Sequence, residues 1–369
     1  MPKLVALDLP GGPRFVDELR RTWDGGDAVF PVDQRFPARM KADLVERFGA
    51  AEVVTGDERT RTTSGRPVEP GDAAVVATSG SSGTPKGVVL THAAIAASAE
   101  ATSHRLAVTT DDHWLACLPL SHVGGLSVVF RALHTGTRLT VHPGFDAAAV
   151  EASGASLVSL VAATLHRIDP TVFRTIVLGG SRPPVERPAN TVTTYGSTET
   201  GSGVVYDQVP LDGVELRIVD DEIHVRGAMT LRCYRDGSDP KSPEGWLPTG
   251  DLGELAADGR LTVHGRRGDL IITGGENVWP EAIEATLLTH PAVADAAVYG
   301  REDPEWGQVV CTLVVPVAGL ERPTIDDLRT QVKSSLPAYC APRQVTFRDD
   351  LPRTGLGKLA RAELAEFDH

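Results

Sequence analysis

Residues 78–87 read TSGSSGTPKG: hydroxyls at Thr78, Ser79, Ser81, Ser82 and Thr84, broken by Gly80 and Gly83, with Lys86 behind a proline. Small hydroxyl donors, a backbone free to bend and one compact cation are what a polyphosphate requires. A flexible surface linker has a similar composition, so the flanks decide. AAVVA (73–77) and GVVL (87–90) have the texture of buried strands, which makes the stretch the tip of a hairpin with pinned ends. A Walker-type loop is excluded. That loop needs Gly-Lys-Ser/Thr opening directly into a helix, whereas here a strand follows the lysine.

Further along, three strand-like runs each end in a small, polar, glycine-bearing loop: LPLSHVGG (118–125), VLGGSRPP (177–184) and YGSTETGSG (195–203). Between them, strand-like and helical runs alternate, and Thr91 is placed to cap an alanine-rich helix over 92–105. Such alternation predicts a largely parallel sheet with helices on its faces, whose ligands bind at the carboxyl edge of the strands. All three loops then converge on one cleft. From 205 to 265 the pattern changes to short strands and turns, as in a β-rich subdomain. GRRGD (265–269) has the make-up of a hinge. The remainder reads as a small α+β domain, with Pro280 at a helix start. The expected fold class is therefore α/β, with three parts: a large N-terminal domain (1–265), a hinge (266–269) and a small mobile C-terminal domain (270–369).

The bulk properties of the 369 residues bound the function. With 41% hydrophobic residues the chain can bury a sizeable core, and no apolar run is long enough for a membrane span. Its start lacks the pattern of a secretory signal, and Cys117, Cys233, Cys311 and Cys340 stand apart without metal or redox spacing. A reduced cytoplasmic protein is the expectation. A net charge of −13 without a basic run argues against nucleic acid or an anionic membrane as partner. An anionic substrate must then be held by local donors.

TSGSSGTPKG closely resembles the phosphate-loop signature of the adenylate-forming superfamily of acyl-CoA ligases, adenylation domains and luciferases. Four other motifs follow in that superfamily's order. YGSTET (195–200) resembles its adenine and magnesium motif and TGDLG (249–253) its ribose motif. GRRGDLIITGGENVWPEAIE (265–284) resembles its hinge and acyl-CoA segment, and LPRTGLGK (351–358) its catalytic-lysine motif. FPVDQRFPA (30–38) fits an early motif, so the likeness runs almost the whole length.

The resemblance implies a chemistry. A carboxylate attacks the α-phosphate of ATP to give an acyl-adenylate and pyrophosphate, and the thiol of coenzyme A then displaces AMP. It assigns Lys358 to the charge that develops at phosphorus. Thr198 would contact the α-phosphate and Glu199 would hold Mg²⁺, an ion that prefers oxygen ligands. A carboxylate at a helix start is the plain alternative for Glu199. Tyr195 would lie against adenine beside Gly179, Gly180, Ser181, Gly196 and Ser197, and Asp251 and Arg266 would reach the ribose. His122 matches a position between the nucleotide and acyl pockets, where it would steer the carboxylate. Gly274, Gly275 and Glu276 would line the pantetheine tunnel. The superfamily usually has aspartate where this chain has Gly268, which leaves the pivot open.

For the acid, the short region before the phosphate loop, YGSTETGSGVVYDQVPLDGVELRI and TGGENVWPEAIE most resemble 2-succinylbenzoate–CoA ligases of menaquinone biosynthesis, in their short actinobacterial-type form. That substrate has a second carboxylate to be recognised inside an otherwise apolar pocket. His122, Gly124, Leu126, Gly180, Ser181 and Val204 are the pocket candidates, with Arg131 either reaching inward or lying on the surface. A ligase for another aromatic or short acid, and a catalytically inactive AMP/ATP-binding module, are the alternatives. A homodimer is implied by the family alone.

Overall fold

The computed structural model describes residues 1–78, 85–180, 183–184, 186–353 and 359–367. It divides into two compact units, residues 1–216 with 224–248, and residues 217–223 with 249–369. The fold is mixed α/β.

The first unit contains two seven-stranded sheets. One runs in the order Cys233–Tyr234, Lys86–Thr91, Asp72–Thr78, Ala28–Pro31, Leu4–Asp8, Glu52–Thr55, Glu58–Arg61. Its central strands are parallel, and Asp72–Thr78 and Lys86–Thr91 form the expected antiparallel hairpin, with Thr78 opposite Lys86 at the closing end. The N-terminal strands have no polar alternation because both faces are covered: Leu4, Val5, Ala6 and Leu7 are wholly buried. Thr91 caps the helix His92–Arg105 through a hydrogen bond from Ala94 N to its Oγ1.

The second sheet runs Val209–Pro210, Gly203–Tyr206, Thr191–Gly196, Thr175–Leu178, Leu157–Leu160, His113–Ala116, Arg138–Val141. The last five pair in parallel, so the loops after Ala116, Leu178 and Gly196 leave one carboxyl edge. The helix Val123–Thr135 begins tightly against the LPL turn. A Cβ on Gly125 would lie 2.4 Å from the Leu118 carbonyl oxygen, so only glycine fits.

In the second unit, Leu247–Leu255 pairs antiparallel with Leu261–Arg266. A five-stranded sheet built on Val293–Asp303 and Gly307–Pro316 carries the helices Pro280–Leu287 and Ile325–Lys333. Ile283, Leu287, Leu328 and Val332 pack with Val298, Val310 and Val314 into its core. Residues 267–269 of the sequence-derived hinge form a single 3-10 turn within this unit. No helix is long and apolar enough to cross a membrane among the described residues.

Candidate active site

Ser79 to Thr84, Ser181 and Lys358 lie outside the described residues. Around them the structure describes the strands and turns that carry the other candidates.

At the base of the hairpin, Lys86 Nζ sits over the ring of Tyr234, 4.6 Å from its centroid. Tyr234 reaches this place because its strand pairs with Lys86–Thr91, setting Tyr234 opposite Val88. The Tyr234 hydroxyl donates to Glu199 Oε1 at 3.2 Å. Burial, then the Glu199 charge, push the phenol up from its ordinary range, so it stays a donor. Glu199 stands in the 3-10 turn Thr198–Thr200, which is closed by a capping box: Ser197 N donates to Thr200 Oγ1 at 2.9 Å. Leu231 N donates to the Glu199 carbonyl oxygen at 2.7 Å. One tyrosine thus ties the hairpin lysine to the candidate metal carboxylate. Sequence reasoning missed Tyr234, because RCY carries no motif of its own.

The donor set around Glu199 fits Mg²⁺. No group of three or more potential ligand side chains is assembled among the described residues. Magnesium is commonly held by one or two carboxylates together with substrate phosphates. Glu199 would be the protein ligand.

On the carboxyl edge of the second sheet, His122 Nε2 lies 3.1 Å from Asp33 Oδ2 and 3.2 Å from Arg35 Nη2. Gly180 is exposed with φ +84°, a conformation suited to glycine. Three acyl-pocket candidates are not in loops at all, Gly124 standing in the first turn of the helix Val123–Thr135. Leu126 belongs to the helix Val123–Thr135 and Val204 to the strand Gly203–Tyr206, and both are wholly buried. Their apolar side chains pack as core.

Arg131 points inward. Only 2% exposed, it donates through Nη2 to Ser127 Oγ and Ser202 Oγ, each at 2.9 Å, with its guanidinium 5.1 Å from the Trp114 ring centroid. Its Nε and Nη1 are buried and have no acceptor among the described residues. Burial lowers its pKa without bringing in a carboxylate. A cavity of about 10 Å³, the size of one water, adjoins it between Ser98, Ser127 and Met229. A buried cation with unused donors is costly unless something anionic or polar comes to meet it.

In the second unit, Asp251 and Arg266 stand opposite one another across the strand pair, and Arg266 Nε is 2.8 Å from Asp251 Oδ1. Gly250 N donates to Glu222 Oε1 at 2.8 Å within the strand Leu247–Leu255, just before Asp251. Gly274 and Gly275 form the tight turn between Ile271–Thr273 and Glu276–Val278. A Cβ on Gly274 would meet the Trp306 ring at 2.9 Å, so Gly274 is demanded by packing as well as by φ, and Gly275 by φ alone. Gly268 has open space around its Cβ position.

Two seven-stranded sheets, a hydroxyl-rich hairpin and a mixed C-terminal unit are the marks of a nucleotide-dependent acyl-activating enzyme, and the chain belongs to the AMP-binding enzyme family. Residues 32–235 match the AMP-binding enzyme domain and residues 282–358 its C-terminal domain. More particularly, the chain is 40% identical over 329 residues to the probable 2-succinylbenzoate–CoA ligase of Mycobacterium tuberculosis H37Rv, covering 81% of this chain and 85% of that protein. It is 34% identical to the 2-succinylbenzoate–CoA ligase of Bacillus cereus ATCC 14579, covering 95% and 80%. The o-succinylbenzoate CoA synthetase (MenE) of Bacillus subtilis, solved with the acyl-adenylate OSB-AMP, superposes with a TM-score of 0.86 at 28% identity, covering 98% of this chain and 87% of that one.

Proposed function

We propose that the chain is an AMP-forming acid–thiol ligase that converts 2-succinylbenzoate, ATP and coenzyme A to 2-succinylbenzoyl-CoA, AMP and pyrophosphate, a step of menaquinone biosynthesis. Arg131 carries the substrate reading. A dicarboxylate activated at one end needs its other end bound. Arg131 offers a buried cation whose Nε and Nη1 lack acceptors among the described residues. The names of the relatives and of the solved neighbour support the same acid.

In this reading Thr78, the hydroxyls and glycines from Ser79 to Thr84, and Lys86 wrap the ATP phosphates. Tyr195, Gly179, Gly180, Ser181, Gly196 and Ser197 hold the base, and Asp251 and Arg266 bind the ribose. Glu199 holds Mg²⁺, which when bound neutralises phosphate charge, and Thr198 contacts the α-phosphate. One carboxylate oxygen of the acid bonds to phosphorus as the bond to pyrophosphate breaks, while Lys358 offsets the negative charge. The thiol sulfur of CoA, positioned by Gly274, Gly275 and Glu276, then attacks the acyl carbon and AMP departs. Residues 266–269 are the hinge between 1–265 and 270–369, with Gly268 absorbing the backbone change. A cytoplasmic homodimer belongs to the same proposal, to be checked by light scattering and fractionation.

Thioester formation from CoA, ATP and a panel of acids tests the function. Conversion of 2-succinylbenzoate is the expected result, and activity confined to simple benzoates or fatty acids would remove the assignment. Lys358→Ala should cost adenylation roughly 100-fold or more yet leave thioester formation from preformed acyl-adenylate in place.

A further inference from the structure

We propose that Asp33, clamped by Arg35 and Ser121, is the positioning residue for His122, holding the imidazole in one tautomer and one orientation toward the carboxylate being activated. The inference rests on the ligase reading, in which His122 meets that carboxylate.

Asp33 is 4% exposed, and each of its oxygens is engaged. Oδ1 accepts from Arg35 N at 3.0 Å and Arg35 Nε at 2.8 Å. Oδ2 accepts from Arg35 Nη2 at 2.5 Å, Ser121 Oγ at 2.9 Å and His122 Nε2 at 3.1 Å. Burial would raise the Asp33 pKa, but the hydrogen bonds from Arg35, His122 and Ser121 outweigh it and keep the carboxyl well below its usual range. An ionised carboxylate only accepts, so the proton shared with His122 sits on Nε2. Arg35 Nη2, close to the same nitrogen, is also a donor and draws on the same acceptor.

Three features separate this from an ordinary structural ion pair. Arg35 and Ser121 already satisfy the carboxylate, so the histidine is an additional donor that the fold does not need for charge balance. His122 occupies the N-cap position of the helix Val123–Thr135 without using its side chain to cap, and that side chain remains 23% exposed. Its ring is therefore fixed on one edge by Asp33 and open elsewhere. Moreover, Arg35 forks onto Asp33 with Nε and Nη2, which cancels the carboxylate's charge. A lone carboxylate here would repel an incoming acid; the paired one orients the ring without that penalty.

The link spans 89 positions of sequence, joining the segment after the strand Ala28–Pro31 to the loop before the helix Val123–Thr135. It also accounts for FPVDQRFPA, which the nucleotide and acyl assignments leave unused.

The test is a double-mutant cycle read by carboxylate-dependent ATP–pyrophosphate exchange. Asp33→Asn keeps the volume but presents an amide where His122 needs an acceptor. It should lower kcat/KM for the acid about 10- to 100-fold, with KM for ATP unchanged. On a His122→Ala background the same change should add less than about twofold, because the path through the ring is already gone. An undiminished loss on that background would overturn the inference. Nitrogen-15 histidine spectra of the unsubstituted protein supply a readout free of folding effects: His122 should be protonated at Nε2, and a proton at Nδ1 instead would overturn it. If the unsubstituted enzyme activates no carboxylate, the ligase reading fails; if it is active and the cycle is additive, only the positioning role fails.

Discussion

In the first unit one carboxylate, Asp33, is shared by three donor residues; in the second one guanidinium, Arg361, is shared by three carboxylates. Arg361 Nη2 lies 2.8 Å from Glu284 and 3.3 Å from Glu281, and its Nε lies 3.3 Å from Asp269. The electrostatic outcomes are opposite. Asp33 is held far down, whereas burial pushes Asp269 and Glu281 up, with Arg361 only partly opposing. Glu281 Oε2 is buried without a donor among the described residues. Burial acts alike on all three groups, so the count of donors decides the sign. The first unit also buries Arg131, whose Nε and Nη1 have no acceptor among the described residues. In the second, the acidic cluster joins the turn Arg267–Asp269, the helix Pro280–Leu287 and the C-terminal segment through Arg361.

Removing the shared guanidinium is the harshest way to probe the contrast. Arg361→Met should leave Glu281 and Glu284 without their guanidinium and Asp269 with only Arg266 as a cationic neighbour, and destabilise the second unit by about 3–5 kcal/mol, measured by urea denaturation. Arg131→Met should behave in the opposite sense. Its KM for the acid should rise roughly 10- to 100-fold through loss of charged hydrogen bonds, while its melting temperature should not fall. A drop in stability matching that of Arg361→Met would erase the distinction between a receiving cation and a structural one. A smaller effect is expected at Tyr234. Tyr234→Phe keeps the ring under Lys86 but frees Glu199, and should raise the Mg²⁺ concentration for half-maximal pyrophosphate exchange about fivefold. The smallest concerns Glu281. Its folded pKa lies above the ordinary value, so the native state retains a proton that the unfolded chain releases, and stability is lost as pH rises through that window. Glu281→Gln should therefore raise the melting temperature slightly near neutral pH, and not below the ordinary carboxylate range.

Much of the fold was legible along the chain. The hairpin, the Thr91 cap, the parallel strands over 113–196 and the helix beginning at Pro280 follow from local pattern and appear where expected. The N-terminal strands Leu4–Asp8 and Ala28–Pro31 escaped notice because short apolar runs buried on both faces have no period to read, and Glu52–Thr55 because four residues are too few to show one. Among the pocket candidates, Leu126 lies in a helix and Val204 in a strand, where Gly125 and Gly203 serve close packing that the local sequence does not announce. Arg131 was open between surface and interior, since an arginine on an amphipathic helix can face either way.

Local chemistry is written in contiguous residues: a hydroxyl-rich tip, a glycine pair, an aspartate in a tight turn and a lysine near the end name the reaction class without coordinates. Which charges lie in water, which lie in the core, and which of them share a partner depend on contacts such as Asp33 with His122 and Tyr234 with Glu199. Those pairs are brought together only when the sheets form. Desolvation and hydrogen bonding fall steeply with distance, so ionisation, orientation and unused donors are properties of the folded chain.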